Sequence, residues 1–117
     1  MVSIETTQRI QEIKNSIQYR LLTPEIKVLI ELYPENQSGL HVNAIARKVK
    51  GQLSKTSVEK AIMRLDDQGL VKTRLGTVHS GGAERLARIC TVSGEITSKY
   101  IENLVNAIYL SVKNPKN

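Results

Sequence analysis

The chain has 117 residues, enough for one domain with its own core, and its single cysteine excludes an intramolecular disulfide. It contains four tyrosines but no tryptophan or phenylalanine, so the core must be aliphatic. No apolar run approaches the ~20 residues that a membrane-spanning helix needs, and residues 1–16 lack the apolar centre of a signal peptide. We therefore expect a cytoplasmic protein that makes no contact with membranes.

The formal net charge of +6 is distributed unevenly along the chain. Residues 1–40 carry four Lys or Arg and five Asp or Glu, residues 41–92 carry ten and four, and residues 93–117 carry three and two. The excess positive charge therefore lies in the middle segment. A localised basic field favours a polyanionic partner, because phosphate contacts supply most of the non-specific affinity for nucleic acid.

The N-terminal residues 3–21 are predicted to form an amphipathic helix. Ile10, Ile13 and Ile17 fall at heptad-like spacing among polar residues. The apolar stripe is narrow, which suits packing against one other helix. That helix could belong to the same chain or to a second subunit.

A second helix is predicted from Pro24. Thr23 can cap it, and proline fits the first helical position, where its missing N–H costs nothing. The apolar residues from Ile26 to Tyr33 follow the i, i+3, i+4, i+7 spacing of a helix with one buried face. The helix should end at Tyr33, because the residue before a proline disfavours the helical conformation.

Two further stripes of the same spacing follow, over residues 42–49 and 58–65. The third helix could be capped by His41 or Asn43. Ser54 is a good N-cap for the fourth helix, over residues 55–67, and Gly69 suits the left-handed position after its end. A connection of only four residues, from Lys50 to Leu53, joins the two helices, which indicates a helix-turn-helix.

After Gly69 the apolar period changes from 3.6 residues to 2. Residues 71–75 and 86–92 are predicted strands, and the glycine-rich segment 76–84 is a predicted loop between them. A broad apolar stripe then predicts a C-terminal helix over residues 93–113, capped by Thr91 or Ser93. The elements predict a mainly α domain with a small β-hairpin, an α+β fold.

The order of these elements is that of a winged helix-turn-helix domain, over residues 24–92. The sequence also resembles the MarR/PadR-type transcription regulators over roughly residues 24–96. The matching pieces are VNAIARKV, SVEKAIMRLDDQGLVKTR and Thr91-Val92-Ser93-Gly94. The hairpin departs from the wing patterns of those families at Ala83-Glu84-Arg85.

The resemblance implies a homodimer that binds palindromic double-stranded DNA as a transcriptional repressor or regulator associated with the nucleoid. The fourth helix would enter the major groove and the hairpin would grip the backbone or the adjacent minor groove. In the helix the expected DNA-binding residues are Lys55, Thr56, Ser57, Lys60 and Arg64. In the hairpin they are Lys72, Arg74, His79, Arg85 and Arg88. The expected dimer-interface residues in the terminal helices are Ile10, Ile13, Ile17, Tyr100, Leu104 and Ile108.

Other functions remain open at this point. The same module serves plasmid or viral DNA partition and replication control, and some winged helices bind only proteins, although these usually have a neutral third helix. An enzyme has little support, because Cys90, His41 and His79 are the only candidate nucleophile or bases and no catalytic motif surrounds them. We expect no metal and no cofactor. A small-molecule effector would suit the resemblance, but few aromatic residues are present to line its pocket.

Overall fold

Side-chain caps begin two of the helices in the computed structural model, which describes residues 4–35 and 39–113. The hydroxyls of Thr23 and Ser54 accept hydrogen bonds from the backbone N–H groups of Ile26 and Ser57, so both predicted N-caps are confirmed. Gly69 has a φ of 77°, the left-handed conformation predicted for it. The described α-helices are α1 (Ile4–Lys14), α2 (Pro24–Leu32), α3 (Val42–Lys48), α4 (Lys55–Asp67) and α5 (Glu95–Lys113).

The sheet is larger than predicted. Its strands are β1 (Leu40–His41), β2 (Val71–Ser80) and β3 (Ala83–Val92), all antiparallel in the order β1-β3-β2. The predicted loop over residues 76–84 is wrong, because β2 and β3 continue through it to a two-residue turn. Gly81 and Gly82 form that turn with φ values of 60° and 81°, which such turns favour and glycine adopts without steric cost.

The segment predicted as one helix over residues 3–21 is divided in two. Its predicted start at Ser3 lies outside the described residues. α1 ends at Lys14, and a short 3-10 helix covers Ile17–Leu21. The hydroxyl of Ser16 donates to the carbonyl oxygen of Ile13 at 2.6 Å, and such a local bond competes with continuation of an α-helix.

The caps of α3 and α5 also differ from expectation. His41 occupies the N-cap position of α3, but its side chain makes no capping hydrogen bond. The hydroxyl of Ser93 donates to the carbonyl oxygen of Gly69 at 2.6 Å, so it ties the start of α5 to the end of α4. A side-chain cap is therefore not what fixes the start of α3.

The aliphatic core gathers around α2, which is buried on all sides from Lys27 to Leu32. Side chains from α1, α3, α4, α5 and the base of the hairpin pack onto it. The fully buried aliphatic residues among them include Ile13, Val28, Ile30, Leu32, Ile45, Val58, Leu65, Val71, Ile101 and Val105. The described residues thus form an α+β fold in which α4 has one face on the core and one face free.

A polar cluster is buried at the junction of α2 with the N-terminal segment. Glu31 is 4% exposed and its carboxylate lies 3.0 Å from the ammonium of Lys14. The phenol of Tyr19 donates to the same carboxylate at 3.4 Å. The ammonium of Lys27 donates to the carbonyl oxygen of Arg20 at 3.4 Å and to Oε1 of Gln52 at 3.3 Å.

Burial and the neighbouring carboxylate raise the pKa of Tyr19, and burial lowers the pKa of Lys27. Both groups are paired in spite of that burial, as buried polar groups must be. The cluster joins the 3-10 helix, α2 and the turn before α4.

Candidate nucleic-acid interface

The helix α4 has one buried and one exposed face, as its sequence predicts. Val58, Ala61, Ile62 and Leu65 are buried against the core. Successive residues of a helix are rotated by about 100°, so Thr56, Lys60 and Met63 lie on the opposite side. All three are exposed. The free surface of α4 is therefore polar and basic, with one apolar side chain near its centre.

The five predicted DNA-binding residues of α4 are not equally available to a ligand. Lys55, Thr56 and Lys60 are exposed. Ser57 is half-buried, and its hydroxyl accepts a 3.0 Å hydrogen bond from the hydroxyl of the capping serine. Arg64 is exposed, but its guanidinium lies 3.4 Å from a carboxylate oxygen of Glu25 on α2. Three of the five side chains are thus available at the surface, while two are already engaged within the chain.

The strand register separates the predicted hairpin residues onto two faces. Directly paired residues share a face and successive residues alternate. Lys72, Arg74 and Arg85 consequently lie on one face of the hairpin, where their cross-strand partners are Thr91, Ile89 and Val78, respectively. His79 and Arg88 lie on the other face, where their partners are Glu84 and Leu75.

Arg88 is the predicted hairpin residue that borders the outer face of α4. It lines a surface hollow together with Thr56, Glu59, Lys60, Ile62 and Met63. A second hollow contains Arg85 and Arg88 from the hairpin, His41 from β1 and Lys55 from α4. Arg85 and Arg88 of the hairpin therefore border the same hollows as Lys55 and Lys60 of α4, whereas Lys72 and Arg74 line neither of these two hollows. His79 contributes less positive charge, since its Nε2 lies 3.9 Å from a carboxylate oxygen of Glu84.

All ten cationic side chains of residues 41–92 are exposed. Within the described part of the chain, Arg64 is the one that forms an ion pair. Three of these cations belong to α3 and the following turn and are absent from the predicted site: Arg47, Lys48 and Lys50. Arg47 and Lys50 line a hollow with Lys55 at the start of α4. These three cations were counted in the charge excess of residues 41–92, but they were not predicted as site residues because only α4 and the hairpin were expected to contact DNA.

Two of the candidate catalytic residues lie on paired strands, since His41 of β1 stands beside Ile89 of β3 and Cys90 stands beside Leu40. Cys90 is fully buried, and burial raises the pKa of its thiol to about 11. The pKa of His41 is lowered, mainly by burial and to a smaller extent by the charges of Arg47 and Arg85.

Among the residues described, no three His, Cys, Asp or Glu side chains are grouped as metal ligands would be. Nor is any described helix long and apolar enough to cross a membrane.

The terminal helices pack on each other inside the same chain. The guanidinium of Arg9 donates to Oδ1 of Asn106 at 2.7 Å and lies 5.2 Å from the ring centre of Tyr109. Lys113 of α5 lies 2.5 Å from a carboxylate oxygen of Glu12. The helix partner that the sequence left undecided for α1 is therefore α5 of its own chain.

The six predicted dimer residues differ in their exposure. Ile10 and Ile13 are 5% and 0% exposed within the chain's own core, so they are not available to a second subunit. Ile108 is partly buried against that core, and Leu104 is half-buried. Ile17 and Tyr100 are 77% and 51% exposed.

A further apolar stripe lies on α5, opposite its buried face. Helical spacing aligns Ile96, Tyr100, Ala107 and Leu110, and all four are exposed. Ile96 is 90% exposed and Leu110 is 60% exposed. Neither was among the predicted dimer residues, because the sequence pattern does not say which apolar face of a helix is covered.

No protein-family model matches the chain, and no curated protein matches it. Among solved structures, it is similar to the circadian clock associated protein Pex from Anabaena, with 20% identity and a TM-score of 0.56. That match covers 80% of this chain and 85% of Pex. Pex from Synechococcus sp. is similar with 20% identity and a TM-score of 0.54, covering 77% of this chain and 84% of that one. At this identity the likeness shows a shared fold.

Proposed function

We propose that the protein is a regulator that binds double-stranded DNA in a sequence-specific manner through a winged helix-turn-helix of the MarR/PadR type. The observation that carries the proposal is the exposed, unpaired positive charge on α4 and the hairpin. Cations that had only a structural role would be expected to pair with carboxylates, as Arg9, Lys14 and Lys113 of the terminal helices do. The likeness to a clock-associated protein is compatible with a regulatory role.

In the proposed complex, α4 lies in the major groove of the DNA. Thr56 and Lys60 face the base edges, because they stand opposite the buried stripe. A lysine there favours the guanine acceptors O6 and N7, whereas a hydroxyl can form a hydrogen bond with any of several bases. Lys55, together with Arg47 and Lys50 beside it, contacts phosphates at the start of the helix.

The hairpin is proposed to act as the wing. Arg88 and Arg85 lie beside α4 and contact the phosphates that flank the major groove. Lys72 and Arg74 share a face with Arg85, so they extend the same contact along the strand. His79 is the weakest of the proposed wing contacts, because Glu84 beside it balances part of its charge when it is protonated.

We further propose that the protein is a homodimer and that the dimer surface is the exposed stripe of α5. Ile96, Tyr100 and Leu110 form a row about four turns long, and each of them is more than half exposed. Burial of exposed apolar surface of this kind drives association. Paired recognition helices would then suit a palindromic site. Light scattering should report a dimer for the wild type and a monomer for the Tyr100→Glu, Leu110→Glu double variant.

Binding to a random duplex library, followed by sequencing, tests the DNA-binding proposal directly. An enriched palindromic sequence is expected. Lys60→Ala should then cost ~1–3 kcal/mol on the enriched site and weaken the preference for it over random DNA. Lys99→Ala is the matched control, since Lys99 is an exposed lysine on α5. No enrichment, or equal losses for the two variants, would contradict the proposal.

The salt dependence of the same binding separates phosphate contacts from base contacts. Removal of one cation that touches a phosphate should reduce the slope of log affinity against log salt by about one. Arg47→Ala and Arg88→Ala should each show that reduction on every duplex.

Capture of the genomic DNA bound by the protein would then identify the cellular process in which it acts. Sites near the protein's own promoter indicate autoregulation, whereas arrays of repeats beside a partition operon indicate segregation.

A further inference from the structure

One apolar side chain interrupts the polar outer face of α4. Met63 is 62% exposed and lies on the side of the helix away from the core. Isolated exposed apolar residues are common on protein surfaces. Met63 differs from such residues because it lines a hollow that also contains the cations Lys60 and Arg88.

The hollow is lined by apolar, polar and charged side chains. Ile62 and Met63 are its apolar members, and Thr56 adds a hydroxyl and a methyl group. Lys60 and Arg88 supply positive charge, and Glu59 supplies a carboxylate. A hollow with this composition suits a ligand that has an apolar projection beside negatively charged or acceptor groups.

The major groove of DNA presents one feature of that kind. Thymine carries a C5-methyl group beside its O4 acceptor, and the phosphates lie further out. No other unmodified base pair offers an apolar group in this groove. The methionine side chain is flexible and polarisable, so it adapts to a small apolar group.

We propose that Met63 is a specificity-determining residue that packs on the C5-methyl group of a thymine in each half-site. The inference rests on the proposed function, since it requires α4 to lie in the major groove. Lys60 and Arg88 would hold the DNA backbone and the neighbouring base edge, and Met63 would distinguish thymine from the other bases. Burial of one methyl group predicts a discrimination of about fourfold for each half-site.

Replacement of thymine by deoxyuridine tests the inference, because it removes the methyl group and leaves the base pairing unchanged. In the enriched duplex, each thymine is replaced singly and the affinity is measured by fluorescence anisotropy. The wild type should lose about fourfold at one thymine of each half-site. Met63→Ala should bind the thymine duplex more weakly and show no difference between thymine and uracil at that position.

Two further variants separate this role from others. Met63→Leu keeps an apolar side chain and should keep the discrimination. Lys55→Ala is the control, since Lys55 lies outside this hollow. It should weaken binding to every duplex and leave the thymine-to-uracil ratio unchanged. A wild type that is insensitive at every thymine, or a Met63→Ala variant that still discriminates, would overturn the inference. Failure to enrich any sequence would instead contradict the proposed function.

Discussion

The side of the molecule formed by α3, α4 and the hairpin differs from the side formed by the terminal helices in how its charges are used. On the terminal side, Arg9, Lys14 and Lys113 each pair with a carboxylate of the same chain. On the other side ten exposed cations have a single ion pair among the residues described. Cations without an internal partner are what the proposed DNA contacts require. Apolar residues are exposed on both sides, since α5 exposes a stripe that includes Ile96 and Leu110, while the other side exposes Met63, Leu75 and Leu86.

The largest expected effect on stability comes from a buried apolar residue of the terminal side, and it is compared with the effect of an exposed apolar residue of α4. Ile13 is fully buried, so Ile13→Ala should lower the free energy of unfolding by about 2–5 kcal/mol through poorer packing and a cavity. Met63→Ala should change it by less than about 0.5 kcal/mol. Urea denaturation measures both. Similar values for the two variants would remove the structural distinction between the sides.

The second comparison uses two helix caps of the same geometry. Ser54→Ala and Thr23→Ala each remove a hydroxyl that caps a helix, so each should lower the free energy of unfolding by ~1 kcal/mol. Only the serine begins α4. We therefore expect Ser54→Ala, measured at a temperature where both variants stay folded, to weaken DNA binding more than Thr23→Ala. Equal losses of affinity would mean that α4 is not the reading helix.

A smaller effect is expected from the ion pair between α2 and α4. Its two side chains are 27% and 55% exposed, so Glu25→Gln should lower the free energy of unfolding by less than about 1 kcal/mol. The same change frees the charge of Arg64 and should raise the affinity for DNA at low salt. The gain should fade at high salt, because exposed charges are then screened. A loss of affinity would show that the pair positions α4.

The smallest expected effect concerns pH. Burial and the charges of Arg47 and Arg85 lower the pKa of His41 in the folded chain, so the unfolded chain binds that proton more readily. Stability should therefore be complete above pH ~6.5, the ordinary histidine pKa, and fall as the pH drops below it. Urea denaturation at pH 7.5 and 5.5 should show a smaller loss for His41→Gln than for the wild type. Equal losses would assign the effect to other groups.

The local features were predictable because their causes lie within a few residues of each other. Ser54, Gly69 and the apolar stripe between them predict the bounds of α4, and the structure confirms them. The long hairpin was underestimated because glycine-rich sequence indicates a loop, although paired glycines also form the tightest turns. The predicted wing function of that hairpin stays a prediction.

The long-range features were not predictable from the same patterns. Ile10, Ile13 and Ile17 share one spacing, yet the chain turns after Lys14 and leaves Ile17 exposed. Lys27 and Glu31 are charged residues, so the sequence indicates an exposed position for each. Their burial depends on partners up to 25 residues away. Only the assembled fold brings those partners together.

The hydrogen bond from Lys27 to Gln52 has a consequence for any attempt to shorten the protein. Gln52 belongs to the turn before α4, and Lys27 also bonds the carbonyl oxygen of Arg20. Through Lys27, the backbone at Arg20 is therefore linked to the turn that precedes α4. A fragment that begins at Thr23 would keep every proposed DNA contact and the bond from Lys27 to Gln52, but it would lose the bond to Arg20 that helps to hold Lys27 in place. We therefore expect the minimal unit that binds DNA at full affinity to be longer than the segment that carries the proposed contacts.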